Sequence, residues 1–439
     1  MEYFSYFDLC FAILISLYLV HRAKKKRDEV IIIKPEYEYY SKGLAVKIYA
    51  TFAFCGIYLF YYQGGDTLAY YKGVKAFYKL FWDNPSDWFY IMGNGYNWQT
   101  WAMFDYDSAP PKYMFRDSRT RLVLKMTSII SLPALGGYFS TSILLATISY
   151  QWIWKAFTLA CDKYPNIKKQ MAISFLYLPS VVFWGSGIMK DTYTFAASCF
   201  CLYGVHAIFI TKKNVTKNAA QLLLAMYLIL SIKSYILFAL LPGILIYTNF
   251  ERIKKVKNTL VKILILPVSI TVIATISQMF FINFEDEFGK YSADQILEEA
   301  AVQQHDLQRS VYGSNSFDIG KYDPTIRGVL AKLPVAVNAA IFRPYLWEVG
   351  SPTMLISALE NAILMVVVVY FLFKIGPFRF FKLIGKDSYL LFCLSFTIVL
   401  AFGIGLSTAN FGALVRYKIP FMPFFVSLFF VMNLQTKKS

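Results

Sequence analysis

The sequence predicts an all-α, polytopic transmembrane helix bundle, and three observations carry that prediction. Of the 439 residues, 57% are hydrophobic and only 16% are charged, against about 25% charged residues in a soluble domain. The apolar runs are long and show no strict alternation, which favours helices over strands. In lipid, only helices and closed barrels satisfy their own backbone polar groups. We therefore expect a single integral membrane domain, residues 1–439, whose helices of roughly 17 to 22 residues cross the bilayer.

The apolar runs predict about eleven spans. In chain order these are Phe4–Val20, Leu44–Tyr62, Ser140–Ala160, Met171–Ser186, Thr192–Ile210, Ala219–Ile232, Tyr235–Tyr247, Val261–Phe281, Thr353–Phe373, Ser388–Leu406 and Tyr417–Val431. Two further segments, Arg121–Leu135 and Val329–Phe342, are apolar but short, and proline or glycine breaks them. We expect these two segments to form interfacial or re-entrant helices.

Basic residues predict how the helices are oriented. The stretch from Arg22 to Arg27 is rich in lysine and arginine and follows the first span, which reverses the charge order of a cleavable signal peptide. Because basic residues collect on the cytoplasmic side, the N-terminus is expected outside. Alternation then places the C-terminus and the short basic loops in the cytoplasm: 163–169, 212–217, 252–262 and 374–386. The net charge of +17 therefore requires no nucleic acid, and the expected location is the cytoplasmic (inner) membrane.

Two long loops, about residues 63–139 and 282–352, are expected on the outer side. The first combines aromatic residues with carboxylates: Trp82, Trp88, Trp98, Trp101, Tyr106, Tyr113, Asp83, Asp87 and Asp117. Aromatic rings stack on the apolar faces of sugars and carboxylates bind hydroxyl groups. An aromatic belt at the membrane interface is the alternative explanation of the same residues.

Asp66 is the candidate catalytic residue. It follows Gly64 and Gly65 directly after the second span, so its carboxylate is expected at the outer membrane boundary. A carboxylate there is able to act as the general base for a hydroxyl nucleophile. It also suits the N-cap of the following helix, and the two roles are compatible.

Signals for a metal are few. The six cysteines have neither the spacing of a disulfide framework nor that of a zinc site, which excludes a secreted mini-protein and a zinc domain. Asp105 and Asp107 lie one residue apart, a pattern able to hold a divalent cation against a diphosphate. These two residues are the candidate metal ligands, and a divalent cation is the cofactor that the sequence suggests.

Lysine and arginine also occur in the predicted outer turns, although basic residues usually collect on the cytoplasmic side. The candidate substrate-binding residues are these cations and their neighbours: Lys190, Asp191, Lys233, Arg343, Trp347, Glu348 and Arg416. Arginine and lysine at this depth would suit the phosphate or diphosphate of a lipid carrier. Alternatively, Lys190 pairs with Asp191 and Arg343 with Glu348, or the cations contact lipid headgroups. Glu360 is expected within a span, where an ionisable residue is a functional candidate.

Several of these motifs resemble large polytopic membrane proteins of bacterial cell-surface polysaccharide assembly. The motifs are Gly65-Asp66-Thr67 with Tyr70, Pro179-Ser180 with Phe183-Trp184 and Lys190-Asp191, Arg343-Pro344 with Trp347-Glu348 and Leu359-Glu360, and Asn410-Phe411-Gly412 with Arg416. The set is similar both to the GT-C glycosyltransferases and to the EpsG/Wzy-like polysaccharide polymerases. Thr67 follows Asp66 where the GT-C pattern has an acidic pair.

The resemblance implies two related activities of the cell envelope. A GT-C glycosyltransferase implies a polyprenyl-phosphate sugar donor and Asp66 as the base. A polymerase implies transfer of a glycan from polyprenyl diphosphate, with outer arginines stabilising the leaving group. The implied partners are lipid-linked sugars or glycans, membrane lipids and other proteins of polysaccharide assembly.

A transporter or flippase of lipid-linked glycans is the alternative function, and a scaffolding subunit is a third class. A transporter predicts internal repeats and ionisable groups at the bilayer midplane, often on broken helices. No repeat is evident, and apart from Glu360 the ionisable groups fall at the predicted outer rim.

Overall fold

The computed structural model describes residues 3–105, 107–255, 316–320 and 326–438, together with Val268. Within these residues the chain is all-helical, and its one β-type contact is an isolated antiparallel bridge between Ser316 and Asn410. The predicted span Val261–Phe281, Tyr106 and residues 282–315 of the second predicted loop lie outside the described residues.

The first half of the chain contains twelve described α-helices. They are α1 (Tyr6–Val30), α2 (Tyr40–Gly56), α3 (Asp66–Asp83), α4 (Pro85–Gly93), α5 (Trp98–Ala102), α6 (Lys112–Arg116), α7 (Ser118–Ser131), α8 (Tyr138–Lys163), α9 (Lys168–Ala172), α10 (Pro179–Trp184), α11 (Lys190–Val205) and α12 (Val215–Lys254). Short π-helical turns extend α2 to Tyr62 and α11 to Ile210. Residues 63–139, predicted as a long loop, thus form mainly short helices.

Seven described helices follow in the second half. They are α13 (Ile326–Ala331), α14 (Leu333–Phe342), α15 (Pro352–Ile375), α16 (Pro377–Ile384), α17 (Ser388–Ser407), α18 (Phe411–Tyr417) and α19 (Met422–Lys438). The predicted interfacial segment Val329–Phe342 is divided between α13 and α14, and α14 is a short apolar helix.

Six described helices are long and apolar enough to cross a membrane. They are Tyr6–Val30, Pro35–Tyr62, Lys190–Ile210, Val215–Lys254, Pro352–Ile375 and Ser388–Ser407. The pair formed by α18 and α19, bent by 61°, is a seventh candidate. These helices are compatible with membrane integration, and the predicted count of about eleven spans is not confirmed.

Two predicted spans differ in the structure for identifiable reasons. Met171–Ser186 is divided into α9, a π-helical turn and α10, because Pro179 lacks an N–H group and keeps Leu178 in an extended conformation (ψ 117°). Ser140–Ala160 coincides with the continuous helix α8 but is not among the six candidates. Serine, threonine and glutamine side chains recur along α8 and lower its hydropathy.

The helix α12 joins the predicted spans Ala219–Ile232 and Tyr235–Tyr247 into 40 residues. Its backbone leaves the helical conformation at Lys233 (φ −145°, ψ 75°), where the sequence predicts a turn. A straight α-helix of this length would measure about 60 Å, twice the bilayer core. The interruption at Lys233 is therefore the natural place for the chain to change direction.

The chain divides into two compact units. Unit one comprises Met1–Tyr203 and Ala220–Ser234, and unit two comprises Gly204–Ala219 and Tyr235–Ser439.

Packing in unit one centres on α1, α2 and α8. The buried carboxylate of Asp8, on α1, accepts hydrogen bonds from the backbone N–H of Phe139 (2.8 Å) and of Ser140 (3.1 Å) and from the Ser140 hydroxyl (2.6 Å). The N-cap of α8 is Gly137, which has no side chain to satisfy these groups. Asp8 therefore caps α8 from a neighbouring helix.

Packing in unit two centres on α14, α17 and α19. The fully buried ammonium of Lys418, at the bend between α18 and α19, donates to the side-chain oxygen of Asn361 (2.5 Å) and to the carbonyl oxygen of Ile341 (3.3 Å). Asn361 in turn donates to the Pro344 carbonyl (3.2 Å). Lys418 thus links α14, α15 and the bend, and Glu360 lies within its electrostatic range.

Candidate functional site

Most of the predicted catalytic and substrate-binding residues fall into one cluster in each unit. Cluster one, in unit one, contains Asp66, Lys190, Asp191 and Lys233, and the structure adds Tyr70, Asp117 and Thr120 to it. Cluster two, in unit two, contains Arg343, Trp347 and Glu348, with Tyr345 and Phe317 around them. Arg416 also belongs to unit two.

Asp66 opens α3. The preceding Gly65 is the N-cap and has a left-handed backbone (φ +96°), and a Cβ there would lie 2.9 Å from the Tyr58 ring. Asp66 is exposed and occupies the first helical position, so the expectation that it is the N-cap residue is wrong. Its carboxylate lies at the N-terminal end of the helix.

Lys190 pairs with Asp117 and not with its neighbour Asp191. The Lys190 ammonium donates to the Asp117 carboxylate at 2.9 Å. Asp117 is also the N-cap of α7, where it accepts from the backbone N–H of Thr120 at 3.1 Å and from the Thr120 hydroxyl. The predicted local pair fails because consecutive residues on a helix point in different directions.

Asp191 pairs instead with Lys233. Their side chains meet at 2.5 Å and are 5% and 9% exposed, which makes this a buried ion pair. The non-helical backbone of Lys233 interrupts α12 at the residue that carries the ammonium. Removing one partner of such a pair leaves an uncompensated buried charge, so the pair constrains α11 and α12 strongly.

The turn before α11 fixes the position of Lys190 and Asp191. Gly187 packs against Phe54 so closely that a Cβ would lie 2.0 Å from the ring. The Gly187 carbonyl accepts from the Thr192 hydroxyl (2.6 Å), and the buried Lys47 ammonium of α2 donates to the Gly185 carbonyl (2.5 Å). Helix α2 therefore holds the start of α11 in place.

Tyr70 connects the two carboxylate-bearing helices of cluster one. It lies one turn after Asp66 and is hydrogen-bonded to Thr120, which donates to Asp117. Burial raises the pKa of Tyr70 above its ordinary value, and the nearby Asp66, Asp191 and Asp117 carboxylates raise it further. Tyr70 therefore stays a neutral phenol, able to donate a hydrogen bond.

Asp117 remains ionised at neutral pH. Its burial favours the neutral acid, but the bond from Thr120 and the Lys190 ammonium outweigh burial and lower its pKa. Lys233 and Arg119 lie within electrostatic range of Lys190. Cluster one therefore gathers cations around a half-exposed carboxylate.

Cluster two is built around the Arg343 guanidinium. Arg343 follows α14, and its Nε donates to Glu348 at 3.2 Å, as the alternative of a local pair predicted. Its terminal nitrogen donates to the Asp318 carbonyl at 3.2 Å. The guanidinium lies 5.0 Å from the Phe317 ring centroid and 5.5 Å from that of Tyr345. These contacts use two of the five N–H donors of the guanidinium.

Trp347 precedes Glu348 in the chain and has an exposed indole ring. It is 77% exposed and stacks on Tyr345 with ring centroids 4.8 Å apart and an interplanar angle of 23°. Glu348 also accepts from the Tyr345 backbone N–H at 2.9 Å, which holds the aromatic turn.

Arg416 lies on α18, and its Nε donates to the Gly412 carbonyl at 3.1 Å. Segment 316–320 connects this helix with cluster two: Phe317 stacks on Phe411, and its backbone N–H donates to the Ala409 carbonyl at 2.7 Å. The same Phe317 ring faces Arg343.

The candidate metal ligands Asp105 and Asp107 belong to neither cluster. Asp105 accepts from the Lys79 ammonium at 2.7 Å, and this contact lowers the pKa of the exposed Asp105 carboxyl. Among the described residues no group of three or more histidine, cysteine, aspartate or glutamate side chains converges as a metal site would. Metal binding by Asp105 and Asp107 stays a prediction.

The sequence places Asp117 only among the carboxylates of the first loop and Tyr70 only in a motif with Asp66, and it gives no sign of Thr120. One signal was present for Asp117: an aspartate directly before the helical run that starts at Ser118 is an N-cap pattern. Its partner Lys190 lies 73 positions away in sequence, which no local pattern reveals.

Comparisons of the chain with protein-family models, with curated proteins and with solved structures found no match.

Proposed function

We propose that this protein transfers a sugar or glycan from a polyprenyl-phosphate or polyprenyl-diphosphate carrier at the outer face of the cytoplasmic membrane. The observation that carries the proposal is cluster one. There the exposed carboxylate of Asp66 lies within electrostatic range of the neutral phenol of Tyr70, and Thr120 and Asp117 link that phenol to the mostly buried ammonium of Lys190. An inverting transfer needs a base for the acceptor hydroxyl and cations for the leaving phosphate.

Each residue of cluster one then has a role. Asp66, exposed at a helix start, takes the proton of the acceptor hydroxyl as its oxygen attacks the sugar carbon and the bond to the carrier phosphate breaks. Lys190 neutralises the charge that develops on the departing phosphate oxygen. Asp117 and the buried pair of Asp191 and Lys233 position that ammonium.

Cluster two supplies a surface suited to the glycan. The exposed ring of Trp347 offers an apolar face for a sugar, and Arg343 and Glu348 offer a cation and a carboxylate close to it in the chain.

In this proposal the N-terminus lies outside and the C-terminus inside, and about eleven helices cross the membrane.

Asp66→Asn tests the role of the base. Loss of a general base typically lowers the rate by about 10² to 10⁴-fold, so we expect glycan production to stop while the amount of protein in the membrane is unchanged. Asp162→Asn is the matched control, because Asp162 is also exposed and lies at the end of α8 that is predicted to be cytoplasmic. Normal product from Asp66→Asn would remove Asp66 as the base and favour the polymerase or transport activity.

The intermediate that accumulates when the gene is deleted separates the two transfer reactions. A carrier that bears a single sugar indicates a glycosyltransferase. A lipid-linked repeat unit in the outer leaflet indicates a polymerase.

A transporter of lipid-linked glycans is the second candidate, and one observation favours it. Lys233 interrupts an apolar helix of 40 residues and carries a buried ion pair, which is the combination expected of broken transport helices. Proteoliposomes loaded with a lipid-linked glycan distinguish the candidates. Movement of intact substrate across the bilayer supports transport, and release of the carrier phosphate supports transfer.

A further inference from the structure

Unit one contains a concave surface at the other end of α2 from cluster one. It is a groove of about 500 Å³ between α1, α2 and α8. Binding sites for small ligands measure about 300 to 1,000 Å³. Tyr40 lines the groove at the start of α2, whereas Asp66 follows the π-helical extension that ends at Tyr62. Those helical turns separate the two surfaces by roughly 30 Å.

Cations of α1 form one side of the groove. Arg22, Lys25 and Lys26 line it against a single carboxylate, Glu29, and all four residues are exposed. Within the part of the chain that the structure describes, no ion pair joins Arg22 or Lys25 to a carboxylate. The side chain of Arg27, by contrast, is held by Asp28 at 2.7 Å and does not line the groove.

The opposite side is partly polar and fixed in geometry. The Tyr40 hydroxyl donates to the side-chain oxygen of Gln151 at 3.1 Å, and the Lys26 ammonium lies 4.9 Å from the Tyr40 ring centroid. Thr147 also lines this side. The Gln151 oxygen accepts from Tyr40, and the Gln151 amide nitrogen donates one of its two hydrogens to the Thr147 carbonyl oxygen at 3.5 Å. Its second N–H is therefore available to an acceptor oxygen.

Apolar residues complete the groove along the helices. Leu19, Ala23, Val30 and Leu44 line it, and α1 and α2 are both candidate membrane spans. A ligand for this surface needs an anionic head for the cations and a hydrocarbon part for the apolar residues. A lipid that carries a phosphate has both, and a soluble anion has only the first.

We propose that this groove binds the phosphate headgroup of an anionic glycerophospholipid. Arg22 and Lys25 donate charge-assisted hydrogen bonds to the phosphate oxygens, Gln151 donates through its amide nitrogen, and an acyl chain follows Leu19 and Leu44. Glu29 accepts a hydrogen bond from a headgroup hydroxyl. The sequence predicts this end of α1 to be cytoplasmic, and the proposal is independent of the transfer reaction assigned to cluster one.

Lipid binding to the purified full-length protein tests the proposal. Native mass spectrometry in a neutral detergent would measure the affinity of the first added phosphatidylglycerol and of phosphatidylcholine. Each substitution below removes a charge-assisted hydrogen bond to the phosphate, and a tenfold loss of affinity corresponds to about 1.4 kcal/mol. Arg22→Gln and Lys25→Gln should therefore each weaken phosphatidylglycerol binding at least tenfold.

Lys24→Gln is the matched control. It removes the same charge from the same helix, but Lys24 does not line the groove. Equal weakening by Lys24→Gln, or equal affinity for phosphatidylcholine, would overturn the proposal. Competition with inorganic phosphate distinguishes a lipid site from a site for the free anion. Displacement of the lipid by millimolar phosphate would indicate a site for the free anion and would also overturn the proposal. An unchanged elution profile of each variant shows that the fold is intact.

Discussion

The two clusters use charge in different ways. In cluster one the ion pairs join helices that are distant in sequence, and the pair of Lys233 with Asp191 is almost completely buried. In cluster two the pair of Arg343 with Glu348 is local, and an exposed aromatic ring stands beside it. The contrast indicates that charge in cluster one ties distant helices together, whereas the local ion pair of cluster two leaves a neighbouring aromatic ring exposed.

The largest effect is expected from Lys233→Met, which leaves Asp191 buried without its partner. Breaking a buried pair in this way costs about 3 to 5 kcal/mol of unfolding free energy. The midpoint of thermal unfolding in detergent measures the loss. Lys217→Met, an exposed lysine of the same helix, should leave the midpoint unchanged. Lys233→Met combined with Asp191→Leu should recover most of the loss, and no recovery would contradict a direct pair.

A smaller loss of stability is expected from Glu348→Ala. It removes the carboxylate that binds both Arg343 and the Tyr345 backbone, at a cost of about 1 to 3 kcal/mol. Glu348→Gln keeps an oxygen for the Tyr345 N–H and should lose less. If both variants unfold like the wild type, the local pair does not support the aromatic turn.

Asp117→Asn separates charge from capping in cluster one, because asparagine is an equally good N-cap. The pKa of Asp117 is lowered in the folded protein, so its charge stabilises the fold fully above its ordinary pKa of 3.8 and is lost as the pH falls through the lower folded value. Asp117→Asn lacks this stabilisation at every pH. Below pH 4 the unfolding midpoint of the wild type should therefore fall towards that of Asp117→Asn. Unfolding midpoints between pH 3 and 7 measure this, and parallel curves would refute it.

The smallest effect on stability is expected from Trp347→Ala. Surface substitutions usually change the unfolding free energy by less than about 0.5 kcal/mol, and this ring is largely exposed. Glycan production should nevertheless fall, because the proposed sugar-binding face is lost. Phe378→Ala, which is 92% exposed on α16 in a loop predicted to be cytoplasmic, is the control. Equal product from both variants would leave Trp347 without a role in binding.

The sequence alone determined the helical class and the places where charge interrupts apolar helices. Composition and unbroken apolar runs predict membrane helices because lipid allows few alternatives. Three predicted spans coincide closely with described candidates: Thr192–Ile210, Thr353–Phe373 and Ser388–Leu406. The break at Lys233 and the pair of Arg343 with Glu348 were also within reach, since both depend on residues close in the chain.

Tertiary structure decided which charges meet. Lys190 turns away from Asp191 because neighbouring side chains diverge on a helix, and it meets Asp117 only because α7 packs in the same unit as α11. Asp191 is thereby available to Lys233, and Asp8 caps α8 from α1 in the same manner. A side chain carries its charge in the sequence, but its partner depends on the packing of helices that no local pattern encodes.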